Sequence, residues 1–128
     1  MDTKTQELIV VDYKSQASLH EVEPVSYLNN VYHEGYKLKM DFYNFLLNCR
    51  GFKTSSISYF LVVNADRTAE GFYEQMKFSE TLIPYKNDVS WIPKKLREMI
   101  KTMNSNTVPD SHESCENCAY AKVRTEYD

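Results

Sequence analysis

Residues 57–63, Ile-Ser-Tyr-Phe-Leu-Val-Val, restrict the folds open to this chain more than any other stretch. Ile57, Tyr59, Leu61 and Val63 alternate with Ser58, Phe60 and Val62, so both faces of a strand built from them are largely apolar. A strand apolar on both faces needs cover on both, which predicts a sheet layered with helices. The segment before it predicts one such helix. Tyr32, Tyr36, Met40, Tyr43 and Leu47 recur at i, i+4, i+8, i+11 and i+15, and Leu38, Phe42, Phe45 and Leu46 form an adjoining stripe. Together they make the broad apolar face of a helix packed on a sheet, beginning near His33. Gly51 stands where the glycine that ends such a helix belongs.

The remaining elements follow from the same periodicities. Leu8-Ile9-Val10-Val11 is a largely β-branched run that leads into Asp12-Tyr13-Lys14, and it predicts a strand over 8–13 inside a mixed sheet. That strand reads as central, although the chain offers few strands to flank it. Residues 15–30 show no clear period and read as a loop with one short helical turn. Residues 66–76 are a polar connection, and 78–85 predict a third strand with Pro84 at its end or on an edge. A second helix is expected over 89–103, capped by Asp88 or Ser90, with Pro93 in its first turn. Ile92, Leu96, Met99, Ile100 and Met103 form its apolar face, and Lys94, Lys95, Arg97 and Lys101 the other. The order strand, helix, strand, strand, helix, tail predicts an α/β sandwich of modest size. The expected organisation is a core over 1–104 and a polar C-terminal tail over 105–128.

Composition narrows the function classes. A chain of 128 residues is one domain's worth and can bury a core without staples. Three cysteines, an odd count, argue against a disulfide framework. No apolar run approaches the length of a membrane span, and the opening Met1-Asp2-Thr3-Lys4 is polar, so a cytoplasmic protein is expected. The net charge of −3 gives no global attraction for nucleic acid, which leaves local basic patches to supply any. Lys37, Lys39, Arg50 and Lys53 are one candidate patch and the lysines and arginine of the second helix another, though a solvated helix face explains the second slightly better. His20 and His33 read as surface residues.

Asp12 and Lys14 carry the most chemical promise. Two apart on a strand, they face the same side. A carboxylate at the end of an apolar strand offers hard oxygen ligands to a divalent cation, and a lysine beside it can orient a water or stabilise charge on a phosphate. An isolated D-x-K is far more often a strand-end salt bridge.

The order of motifs changes that balance. A hydrophobic strand ends in Asp12-Tyr13-Lys14-Ser15, a helix carries Tyr36-Lys37-Leu38-Lys39-Met40-Asp41-Phe42-Tyr43, and then come Leu46, Leu47, Gly51 and Phe52, the strand Ser58-Tyr59-Phe60-Leu61-Val62-Val63, and Pro109, Cys115, Cys118 and Tyr120. This succession resembles the PD-(D/E)xK nucleases, specifically the C-terminal part of the RecB-like branch that includes CRISPR-associated exonucleases. The resemblance implies a restriction-endonuclease-like mixed sheet flanked by helices, here without its N-terminal helix and strands. It implies metal-dependent hydrolysis of DNA phosphodiesters with Mg or Mn: Asp12 as a metal ligand, Lys14 positioning the attacking water, and Lys39 and Tyr43 shaping the site. Two departures follow. Lys39 stands where the branch has glutamine. The branch's second metal-binding acid, in a G-x-x-D strand before the D-Y-K strand, has no counterpart, and Asp2 fits a turn better than that role. The implied partners are therefore DNA and an N-terminal segment or partner subunit that supplies the acid. Cys115 and Cys118 make at most half of a metal site, with His112 as a third ligand in principle. Iron–sulfur members use four cysteines, so no cluster is expected in this chain. The alternatives are a catalytically inactive module of the same fold that binds DNA or a partner protein, and an unrelated small α/β interaction domain.

Overall fold

The computed structural model describes residues 1–68, 70–71 and 74–125. In chain order its elements are β1 (Val11–Gln16), α1 (Pro24–Asn29), a 3-10 turn (Val31–His33), α2 (Glu34–Cys49), β2 (Ile57–Ala65), β3 (Phe78–Lys86), α3 (Ile92–Met103) and α4 (Glu116–Arg124). The chain forms two compact units, Met1–Ile92 and Pro93–Asp128. The first holds the sheet with α1 and α2. The second takes α3 from Pro93 onward together with α4, so the unit boundary falls ahead of the second long helix rather than after it.

The protein is α/β, with a three-stranded mixed sheet in the order β1-β2-β3. β1 pairs parallel to β2, and β2 antiparallel to β3. A parallel pair needs a crossover, and α2 supplies it. The register aligns Asp12 with Phe60 and Ile83, and Lys14 with Val62 and Thr81, so these six residues share one face. That face receives the helices. Tyr27 of α1 and Met40 of α2 close with Phe60, Val62 and Ile83 into the core, and Val10, Val22, Leu28, Tyr36 and Tyr85 pack around it. Fully burying each large apolar side chain there contributes about 1.5–3 kcal/mol.

One expectation needs correction. The first strand begins at Val11 rather than Leu8, and it lies at the edge of the sheet, not inside it. Residues 8–10 still run beside the chain ahead of β2: Leu8 bridges Thr54, Ser55 N donates to Leu8 O at 2.8 Å, and Tyr59 N donates to Val10 O at 3.0 Å. Even-numbered residues thus meet β2, and a parallel ladder leaves Val11, Tyr13 and Ser15 facing the open edge with their backbone groups. β2 is covered on both faces, fully on the inner one and unevenly on the outer one, where Val63 and Ala65 are buried and Tyr59 and Leu61 half-buried, while Val11 and Tyr13 of β1 and Leu82 of β3 are more than half exposed.

α2 ends as its sequence predicts. Gly51 adopts φ +86°, Gly51 N donates to Asn48 O at 3.0 Å, and Phe52 N donates to Leu47 O at 3.1 Å. This is a Schellman cap, whose left-handed residue favours glycine. The buried face of α2 differs from the expected stripe. Met40, Asp41 and Asn44 are buried, whereas Leu38, Tyr43 and Leu46 are exposed and Tyr32 lies in the preceding turn. Pro84 fits within β3 because β3 is the other sheet edge. The C-terminal segment is not all tail. α4 forms there, with Cys115 at its N-cap.

Candidate functional site

Period-two geometry puts Asp12, Lys14 and Gln16 on the helix-covered face of β1, where each is half-buried, while Val11, Tyr13 and Ser15 point outward. Lys14 Nζ lies 2.8 Å from Asp12 Oδ2. Apart from this ion pair, Oδ2 is buried and has no hydrogen-bond partner. The same ammonium sits 4.2 Å from the centroid of the Tyr36 ring on α2, a cation–π contact that fixes the lysine between strand and helix.

One turn along α2 is Lys39. Its Nζ lies 5.4 Å from the centroid of the Tyr43 ring. The Tyr43 side chain, first, and then the Asp12 carboxylate hold the Lys39 ammonium above its ordinary pKa. Asp12, Lys14, Lys39 and Tyr43 are thus brought to one side of the sheet. Tyr36 is the member of the cluster that lies between Lys14 and α2.

Tyr27 and His33 extend this surface. Burial pushes the Tyr27 hydroxyl up to about 12, with smaller contributions from Tyr36 and Asp12. His33 is not the surface residue its sequence context predicts. Its Nδ1 bonds Tyr27 O at 2.8 Å, and its ring stacks on Tyr36 at 5.1 Å between centroids and 17° between planes. The ring therefore ties the entry of α2 to α1. Beside this cluster is an open cleft of about 480 Å³, lined by Gln16, Ser18, His20, Glu21, Tyr27 and His33 among others. Neither Asp12 nor Lys14 lines it. Its far wall is positioned by Asn64 of β2, whose Oδ1 accepts from Ser18 N at 2.7 Å and whose Nδ2 donates to Ser18 O at 3.1 Å.

The rotation of α2 over the sheet is set by polar groups that sequence patterning does not single out. Asp41, 3% exposed, accepts from Asp88 N at 3.0 Å, Trp91 Nε1 at 3.1 Å and Tyr85 Oη at 3.2 Å. Burial, then the Asp41 carboxylate, drive the Tyr85 phenol well above its ordinary pKa. Asn44 donates to Met40 O at 2.9 Å and to Ser58 Oγ at 3.0 Å. Asp41 and Asn44 share a helical face with Met40 and Leu47, a spacing that a search for apolar residues passes over.

The fit to a divalent cation is incomplete. Asp12 Oδ2 is an oxygen a cation could take, but Lys14 already neutralises that carboxylate, and among the described residues no group of three or more His, Cys, Asp or Glu side chains is placed to hold a metal. A single carboxylate does not make a Mg site. Asp2 is not its partner: its Oδ1 accepts from Lys4 N at 2.7 Å and Thr5 N at 3.2 Å, which closes a turn of its own. The basic patches are partly spent as well. Lys37 pairs with Glu34, Lys53 with Glu7, and Lys94 and Lys95 with Glu98.

In the C-terminal unit, Cys115 and Cys118 meet at 3.0 Å between sulfurs. His112 does not join them, since among the described residues no three His, Cys, Asp or Glu side chains are grouped to hold a metal, and its Nδ1 bonds Ser114 Oγ at 2.9 Å. Among the described residues no helix is long and apolar enough to cross a membrane. No protein-family model, curated protein or solved structure matches this chain.

Proposed function

We propose that Met1–Ile92 is the catalytic-strand and helix portion of a metal-dependent nuclease of the PD-(D/E)xK type, acting on DNA phosphodiesters with Mg or Mn. The observation that carries this reading is the convergence of Asp12, Lys14 and Lys39 on one side of β1, with Asp12 close enough to shift Lys39. Lys39 would hold a phosphate oxygen. Asp12 would be a ligand of the cation, and Lys14 would orient the attacking water. Bound metal would neutralise phosphate charge and lower the pKa of water. The site as described lacks a second acid, and the reading therefore includes an acid brought to the open edge of β1 by another segment or subunit. An exposed strand edge is a template for such pairing.

A second reading is favoured by a specific observation. The 2.8 Å Asp12–Lys14 pair satisfies both charges without metal, as expected of a nuclease-fold module that binds DNA or a partner protein and has lost catalysis. Either way, the chain alone is expected to cleave DNA weakly or not at all.

Binding to a labelled DNA duplex, followed by fluorescence anisotropy at low salt, tests the shared core of both DNA readings. Binding that weakens several-fold in Lys39→Ala and falls with added salt supports them. No binding at low salt, or binding indifferent to Lys39→Ala, leaves the unrelated α/β interaction domain as the better account.

A further inference from the structure

The pair of cysteines at the start of α4 plays no part in the proposed nuclease site, and its geometry suggests a separate chemistry. Cys115 and Cys118 are half-buried rather than enclosed, and their sulfurs are 3.0 Å apart. A disulfide needs about 2.05 Å between sulfurs, so closing the bond takes a movement of about 1 Å, within reach of side-chain rotation. The two positions are also unequal. Cys115 is the N-cap of α4, and its Sγ accepts the backbone N–H of Cys118 at 3.4 Å. Cys118 lies inside the first turn of a nine-residue helix, where its sulfur has Cys115 as its hydrogen-bond partner. With His112 turned to Ser114, the pair has no third metal ligand among the described residues.

We infer that Cys115 and Cys118 are a reversible dithiol–disulfide pair, with Cys115 as the attacking thiol and Cys118 as the resolving one, exchanging with low-molecular-weight disulfides of the glutathione type. The Cys115 thiolate attacks one sulfur of the oxidised tripeptide. A Cys115–glutathione bond forms, the original disulfide breaks, and one glutathione thiolate leaves. Cys118 then loses its proton to solvent and attacks Cys115 Sγ. The Cys115–Cys118 bond forms and the second glutathione thiolate leaves. Two electrons pass from the protein dithiol to the small disulfide, which is reduced to two thiols. The contact with the Cys118 sulfur and then the Cys118 backbone N–H hold the Cys115 thiol below its usual pKa, and the same sulfur contact raises Cys118, which matches this division of roles.

The test uses the full chain with Cys49→Ser, because Cys49 is exposed and would add its own adducts. The chain is equilibrated in glutathione buffers of increasing oxidised fraction, quenched by alkylation and read by intact mass. The expected product has lost two hydrogens, has no alkylatable thiol, and returns to a dithiol in reduced glutathione. In the reduced chain, iodoacetamide should modify Cys115 several-fold faster than Cys118. Adding Cys118→Ser should trap a glutathione adduct on Cys115, and adding Cys115→Ser should leave Cys118 slow to react. Glutathione adducts on both cysteines without an internal bond would overturn the inference. So would equal alkylation rates, or one zinc or iron ion bound per chain that shields both thiols.

Discussion

Replacing Asp41 by alanine should remove the clamp that sets α2 against the sheet. Three donors converge on its buried carboxylate: Asp88 N on Oδ1, and Trp91 Nε1 and Tyr85 Oη on Oδ2, at 3.0, 3.1 and 3.2 Å. A hydrogen bond to a charged acceptor contributes about 1.5–3 kcal/mol. Tyr85 and Trp91 are half-buried and regain some bonding from water, so the net loss should be about 3 kcal/mol rather than the sum of three full bonds. With a urea dependence of about 2 kcal/mol per molar, the unfolding midpoint should fall by about 1.5 M. Trp91 is the chain's one tryptophan and touches the clamp directly, so its fluorescence reports the transition without a label. Asp41→Asn should fall between the two, because it keeps an acceptor for Asp88 but turns an amide donor toward Trp91. Loss of the carboxylate should also bring the Tyr85 phenol down toward its ordinary pKa, visible by ultraviolet titration. A midpoint shift below about 0.5 M, with Tyr85 titrating unchanged, would refute the placement of Asp41 as the buried node of this unit.

Lys14→Met should destabilise the fold by about 1–3 kcal/mol, because it leaves the Asp12 carboxylate without its ion-pair partner, and Asp12→Asn in the same chain should recover part of that loss; urea unfolding of the two single variants and the double variant measures the coupling. Acid should weaken the protein in a defined window. Hydrogen bonds from Ser90 and Thr68 hold the Asp88 and Asp66 carboxyls below their usual 3.8. Each therefore contributes stability that is present above that value and lost as pH falls through its lower folded pKa. Urea midpoints measured from about pH 6 to about pH 2 should show a drop at the acid end that is shallower in Asp88→Asn than in the parent.

The parts of the fold that follow backbone periodicity were legible in the sequence. The alternation at 57–63 and the apolar recurrence before Gly51 located β2 and α2 closely, and the glycine marked a cap whose left-handed geometry an L side chain resists. The placement of β1 was not legible in the same way. A β-branched run indicates a strand but not the number of its neighbours, and here Val11 and Tyr13 remain exposed at an edge. Buried polar residues are opaque for a related reason. Apolar patterning assigns Asp41 and Asn44 to solvent, and only the positions of Tyr85, Trp91 and Ser58 in space show why both are inside. α4 escaped because it buries no residue; its start is set by the Cys115 cap rather than by an apolar face. In the candidate site, strand parity placed Asp12 and Lys14 together, and helical spacing placed Lys39 beside Tyr43. Nothing in the local pattern indicates that His33 joins this surface through Tyr27 and Tyr36.

The proposed nuclease site requires that the Asp12 face of β1 meet a divalent cation together with nucleic acid. Nuclear relaxation by Mn²⁺ reads this in the intact chain, because a paramagnetic ion broadens nearby amide signals even when it binds weakly. With a short DNA duplex present to lend phosphate oxygens, sub-stoichiometric Mn²⁺ should first broaden the amides of Asp12, Tyr13 and Lys14 and those around Lys39, and Asp12→Asn should abolish the effect. Broadening centred instead on the acidic stretch around Asp110 and Glu113, or at β1 but unchanged by Asp12→Asn, would contradict the account.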